Sequence, residues 1–149
     1  MLIAMKEDWY YHIVTPGLIR GAQATYTEKI TRELVESGFD DLPQNGSFVL
    51  GCVAQTGSPL AIIIRELHIS KQTASQLIDM LENRDYLKRA INKEDRRQVT
   101  VTLTERGQQA TALAQNVAHH IDEQIKAELG NEYLEHTRVV LAKLMKMGR

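Results

Sequence analysis

A single cysteine, Cys52, leaves the 149-residue chain without an internal disulfide or a Cys-rich zinc framework. Any disulfide has to be intermolecular. Long apolar stretches are scarce as well. The longest is a run of about seven residues, Phe48 to Ala54, against the ~18 to 20 that a bilayer span needs, so the chain is not expected to cross a membrane. Met1-Leu2-Ile3-Ala4-Met5-Lys6-Glu7-Asp8 carries neither a basic flank before an apolar stretch nor a small-residue cleavage site. No secretory leader is expected, and the cytoplasm is the expected location. An excess of one charge is missing too: 18 Lys and Arg face 19 Asp and Glu, too balanced for a polybasic tail or a disordered acidic segment. No Gly-rich phosphate loop, nucleophile elbow, paired-carboxylate signature or HExxH motif occurs, so no catalytic residue, cofactor or metal site is expected and the chain reads as a non-enzyme.

What is present, 43% hydrophobic and 25% charged residues, suffices for one globular unit with a real core. Pro16-Gly17 is read as ending a short aromatic lead, Trp9, Tyr10 and Tyr11. From Leu18 to Ser37 the residues Leu18, Ile19, Ala22, Tyr26, Ile30 and Leu34 recur at three- and four-residue steps, predicting an amphipathic helix that Gly38 stops. Asp40 to Gly46 reads as a turn, Ser47 to Gln55 as a shorter apolar helix, and Pro59 to Leu67 as another. After His68-Ile69, Ser70 suits an N-cap for a helix over about Lys71 to Arg84. In that helix Ala74, Leu77, Ile78 and Leu81 are expected inward, and Lys71, Gln72, Thr73, Ser75, Gln76 and Asp79 outward.

The period then changes. Tyr86 to Ile91 is strand-like, Asn92 to Asp95 turn-like, and Gln98 to Leu103 alternates strictly, which predicts a β-hairpin with a charged tip. Thr104 is the expected cap of a long helix whose stripe Ala110, Leu113, Ala114, Val117, Ile121, Ile125 and Leu129 ends at Gly130-Asn131. A last helix covers about Glu132 to Met147. A ~25-residue helix spans nearly 40 Å, more than a chain of this size needs to cover its own core, so a second copy is the expected partner.

Two short helices joined by a tight turn, the second polar on its outer face, form a helix-turn-helix, which fits a DNA major groove. The charge distribution agrees: Arg84 to Arg97 holds six basic and three acidic residues, net +3, while the rest of the chain carries −4.

Leu67 to Glu82 (LHISKQTASQLIDMLE) followed by Asp95 to Gly107 (DRRQVTVTLTERG) resembles the MarR family of winged-helix transcriptional regulators, through the Asp-x-Arg wing signature and the following Leu-Thr-x-x-Gly. The resemblance implies a mostly α fold with a small β-hairpin wing. A winged helix-turn-helix at 45–103 would bind DNA, and a helical region from both termini, 1–44 and 104–149, would dimerise. It further implies a homodimer on a pseudo-palindromic, double-stranded operator, usually repressing. Ser70, Lys71, Gln72, Thr73, Ser75 and Gln76 would then face base edges and phosphates in the major groove. Arg97, held by Asp95, would enter the minor groove, and Arg84, Lys88, Lys93 and Arg96 would contact phosphates. Two positions depart from the family pattern: Asp85 stands where a glycine often follows the recognition helix, and Ile91-Asn92 replaces Pro-Asp in the wing.

Trp9, Tyr10, Tyr11, His12, Arg20 and Tyr26 form an aromatic and polar group near the first helix, read either as packing or as part of a pocket. Relatives that bind aromatic acids imply a small aromatic effector there, with Tyr11, His12, Arg20 and Tyr26 as its candidate ligands. Cys52 lies in an apolar run with no basic residue within ten positions to lower its pKa, so an inert buried thiol is expected. A repressor that senses oxidants through Cys52, and a winged-helix protein-interaction module, are the alternative readings. His119-His120 are adjacent on a helix, about 100° apart, and cannot chelate one metal as an i, i+4 pair could.

Overall fold

The computed structural model describes residues 9–56, 62, 64, 65, 69–91 and 99–148. A short 3-10 turn, Trp9–His12, precedes helix α1 (Thr15–Glu36). Then come α2 (Gly46–Thr56), α3 (Lys71–Asn83), strands β1 (Leu87–Ile91) and β2 (Val99–Leu103), and helices α4 (Glu105–Leu129) and α5 (Asn131–Met147). Ile62, Ile64 and Arg65 are helical; the remainder of the helix expected over 59–67 lies outside the described residues. Pro16 and Gly17 do not separate the aromatic lead from α1; they sit in its first turn. The amide that proline lacks is one of the four that a helix start leaves unpaired in any case.

Two helices end in the same way. At the end of α1 the Phe39 amide bonds to the Leu34 carbonyl (2.9 Å) and that of Gly38 to Val35 (3.1 Å), with Gly38 at φ +88°. This is the Schellman arrangement, whose left-handed residue is normally glycine. At the end of α3 the Tyr86 amide bonds to the Leu81 carbonyl (2.8 Å) and that of Asp85 to Glu82 (3.0 Å), and Asp85 takes φ +60°. Asp85 thus adopts the left-handed conformation despite its side chain. Ser70 and Thr104 are the caps their sequence positions predict. The Ser70 hydroxyl accepts the Thr73 amide at 3.1 Å, and that of Thr104 accepts the Gly107 amide at 3.0 Å.

The described residues divide into two compact units, one running through Arg32 and resuming at Ala118, the other Glu33–Val117, so that the division falls within α1 and within α4. In the second unit Val49, Leu50, Ala74, Ile78, Leu81, Tyr86 and Val101 are fully buried. The four residues expected inward on α3 are all buried, and of the six expected outward five are exposed and Ser75 is half-buried. The strands pair antiparallel in the register Leu87↔Leu103, Arg89↔Val101, Ile91↔Val99. In the first unit Ile121 and Leu134 are buried, whereas Trp9, Tyr11, Val14, Leu129, Tyr133, Val139, Val140, Leu144, Met145 and Met147 are exposed. Among the described residues no helix is long and apolar enough to cross a membrane.

Candidate DNA-binding surface

Helix α3 begins with its cap. The Ser70 hydroxyl, besides accepting the Thr73 amide, lies 2.7 Å from the Thr73 hydroxyl, so two of the side chains expected to face DNA are bonded to each other. Lys71, Gln72, Thr73 and Gln76 are exposed. Gln72, Gln76, Asp79 and Asn83 follow one another at four- and three-residue steps, hence as one outward stripe. On β1, Lys88 is exposed and belongs to the outer face of the hairpin. Lys93, Asp95, Arg96 and Arg97 lie outside the described residues.

Arg84, expected at a phosphate, is the half-buried C-cap of α3, and its Nη1 donates to the Asp41 carbonyl. It belongs to a network that sequence reasoning missed. Asp41 Oδ1 accepts from the Tyr86 hydroxyl at 2.6 Å and from Arg106 Nη2 at 2.9 Å, while Oδ2 accepts from Arg106 Nη1 at 3.1 Å. Arg106 Nη1 also donates to the Arg84 carbonyl at 2.6 Å, and its guanidinium lies 4.3 Å from the centre of the Tyr86 ring. The Thr104 hydroxyl donates to the Asp85 carbonyl, and its amide bonds to the Tyr86 carbonyl at 3.1 Å. Three turns are thus fastened together: the one before α2, the one between α3 and the hairpin, and the start of α4.

The protonation of this network follows from its geometry. The Tyr86 and Arg106 donors hold the Asp41 carboxyl below its usual range, burial and the Asp41 carboxylate push the Tyr86 phenol up, and Asp41 raises Arg106. All three groups keep their usual charges near neutrality. Gly107 is where the network is tightest. A Cβ there would lie 2.1 Å from the Tyr86 carbonyl oxygen, so only glycine fits. The sequence signal was the glycine of Leu-Thr-x-x-Gly; Asp41, far away in an ordinary turn, gave none.

Arg89, counted above as part of the positive charge, is engaged by carboxylates. Its Nη1 meets Glu82 Oε2 at 2.8 Å and its Nη2 meets Asp79 Oδ1 at 2.5 Å. The strand alternation could have revealed this, because it puts Arg89 on the face of Leu87 and opposite that of Lys88.

The candidate effector residues lie in the first unit. Tyr11 and His12 are exposed on the 3-10 turn, where the Tyr10 and Tyr11 rings are 4.5 Å apart, and Arg20 is exposed on α1. Tyr26 is half-buried and donates to Asp122 Oδ1 at 2.5 Å, and Arg138 Nη1 donates to Asp122 Oδ2 at 3.3 Å. Burial and the Asp122 carboxylate push the Tyr26 phenol up to about 12. An open groove of about 570 Å³ runs along α1, lined by Trp9, Ile13, Gly17, Leu18, Gly21, Ala22 and Thr25. Tyr11, His12, Arg20 and Tyr26 do not line it. Cys52 is half-buried rather than buried, and Phe48 in the same apolar run is 53% exposed. His119 and His120 are exposed, with His119 Nε2 3.8 Å from Glu123.

Residues 51–98, from within α2 to the residue before β2, match the sequence model of the MarR family. The fold is that of MarR-family winged-helix regulators. A structure of the S. aureus MepR–DNA complex superposes with a TM-score of 0.72 at 20% identity, over 93% of this chain and 100% of that one. S. aureus MepR in its DNA-binding conformation gives 0.75 at 19% identity, over 92% and 100%. A crystal structure of MarR gives 0.74 at 20% identity, over 92% of each chain. No curated protein is similar enough in sequence to match. The mostly α fold with a small β-hairpin that the sequence resemblance implied is the fold observed.

Proposed function

We propose that this chain is a homodimeric, sequence-specific DNA-binding regulator, a ligand-responsive repressor of a pseudo-palindromic operator that acts in the cytoplasm. The observation that carries the reading is α3. It is capped by Ser70, buried along Ala74, Leu77, Ile78 and Leu81, and polar along Lys71, Gln72, Thr73 and Gln76, within a segment that matches a family of regulators. Glutamine bonds adenine through two atoms and lysine donates to guanine, so this face has the chemistry to read base edges. Arg84, tied to Asp41, serves this reading by holding the end of the helix, and Lys88, Lys93 and Arg96 remain the proposed phosphate contacts, with Arg97 and Asp95 at the minor groove.

The dimer is supported by the exposed apolar residues of α5, where Tyr133, Val140, Leu144 and Met147 recur at helical spacing. An apolar stripe of this kind is costly in water and is usually covered. A second copy supplies a two-fold partner, and two recognition helices would then meet two half-sites. For the effector, Tyr11, His12 and Arg20 remain the proposed contacts; the hydroxyl of Tyr26 is already bonded to Asp122.

Fluorescence anisotropy on the DNA upstream of the protein's own gene and on a random duplex tests the reading. With roughly 6 to 10 phosphates neutralised per dimer, affinity is expected to fall ~10³ to 10⁵-fold between 50 and 200 mM salt, with the cognate duplex preferred by at least ~100-fold. Equal, weak and salt-insensitive binding to both would favour a protein-interaction module instead.

A further inference from the structure

Within the DNA-binding reading proposed above, which this inference presupposes, the wing's first strand contains a charge that sequence counting misassigns. Side chains alternate along a strand, so β1 sends Leu87 and Arg89 to the face packed on α3 and Lys88 to the other. Arg89 stands opposite the buried Val101 in the ladder. A guanidinium on an inner face needs counter-charge, and it finds two: Glu82 at 2.8 Å and Asp79 at 2.5 Å, three residues apart on α3. The Arg89 amide also donates to Glu82 Oε1 at 3.4 Å. Its side chain is 31% exposed, whereas that of Asp79 is 54% exposed.

Asp79 is the anomaly. It continues the outward stripe of Gln72 and Gln76, the residues that would lie against the bases, and a carboxylate there meets the phosphates of a duplex. We propose that Arg89 is a charge-masking residue that acts through Asp79 and Glu82, and that it is not itself a phosphate contact. It supplies the positive charge that lets the carboxylate-bearing half of the recognition helix approach a polyanion. Of the basic residues on β1, Lys88 on the outer face contributes to the salt dependence of binding directly, and Arg89 only through the carboxylates it masks.

The test measures anisotropy of the whole 149-residue chain on the same cognate and random duplexes, at salt concentrations from 50 to 200 mM. Arg89→Ala is expected to weaken binding to both duplexes by about 10-fold at 50 mM salt and by less at 200 mM, where the repulsion is screened, and Asp79→Asn with Glu82→Gln in the same chain to restore both the affinity, to within about 3-fold of wild type, and the salt slope. Lys88→Ala is expected to lower the slope by about 0.9 and to gain no rescue from the same two substitutions. If Arg89→Ala lowers the melting temperature below the assay range, Arg89→Gln, which keeps a polar partner for the carboxylates without the charge, replaces it with the same expected loss and rescue. A triple variant no better than the single one, in affinity or in slope, overturns the masking role. Wild-type binding with an unaltered Arg89 variant overturns masking alone. Failure of the wild type to bind either duplex overturns the DNA-binding reading and this inference with it.

Discussion

In the unit of residues 33–117, Val49, Leu50, Ile78, Leu81, Tyr86, Leu87 and Val101 retain at most 2% of their surface. In the unit built from the two ends of the chain, Ile121 at 7% and Leu134 at 8% are the buried hydrophobics among the described residues, while Tyr133 is 67% and Met145 66% exposed. The same kinds of side chain are thus inside in one unit and outside in the other. The first contrast is energetic: burial of a large apolar side chain contributes roughly 1.5 to 3 kcal/mol, and the winged-helix unit collects this within one chain. The terminal unit leaves it uncollected until something covers α5. The second contrast is polar. Asp41, Tyr86 and Arg106 tie three turns of the winged-helix unit into one network, whereas the terminal unit holds the smaller group of Tyr26, Asp122 and Arg138.

The strongest way to break this comparison is Gly107→Ala. A methyl group 2.1 Å from the Tyr86 carbonyl forces the start of α4 away from the turn before β1, and a loss of about 2 to 4 kcal/mol in urea unfolding is expected. A loss under about 0.5 kcal/mol would show that the contact relaxes freely. Next comes the other unit: on the proposed pairing through α5, Leu141→Asp with Leu144→Asp, both exposed, should weaken self-association at least ~100-fold by light scattering across dilution. Amide hydrogen-exchange protection in the hairpin and α3 should persist, because the core they pack into lies within residues 33–117. Dimers that survive the two charges would remove α5 from the interface.

Asp41→Asn sharpens the network side by its pH dependence. The Asp41 carboxyl is held below its ordinary 3.8 in the folded chain, so its ionic contribution is present above that value and is lost as pH falls through the lowered one. Wild type should therefore be the more stable near neutrality by about 1 kcal/mol, a modest figure because the Asp41 side chain is 40% exposed, and the two curves should converge below about pH 4. Curves that stay parallel into acid would separate stability from the charge of Asp41. The smallest effect belongs to Asp85→Gly. Relief of the left-handed strain at φ +60° outweighs the added chain entropy, for a gain of about 0.5 to 1 kcal/mol measured by thermal melting. A destabilised variant would mean that the Asp85 side chain contributes more than its backbone costs.

Much of the fold was legible from periodicity. The inward quartet of α3, the Ser70 and Thr104 caps, the Gly38 stop and both strands lie within one or two residues of where their patterns put them. Each depends on neighbours a few positions away, where side-chain direction is dictated by the helix or strand repeat. Pro16 was misread because proline stops a helix from inside and starts one from its first turn, and the residues around it do not distinguish the two. The candidate site was only partly legible. Lys71, Gln72, Thr73, Gln76 and Lys88 are on the surface as expected, but Arg84 and Arg89 entered the charge count as available cations and are engaged by Asp41, Asp79 and Glu82.

By itself, then, the sequence determined the order and kind of the elements and which face of each is apolar, since propensity, capping and amphipathic period act over one or two turns. The tertiary structure decided which charges remain available. Arg106 and Asp41 lie 65 positions apart and Tyr86 and Asp41 45, separations over which no local pattern carries information. Only the folded backbone brings such groups within 3 Å. Whether an arginine attracts a duplex or neutralises its own chain is settled at that distance.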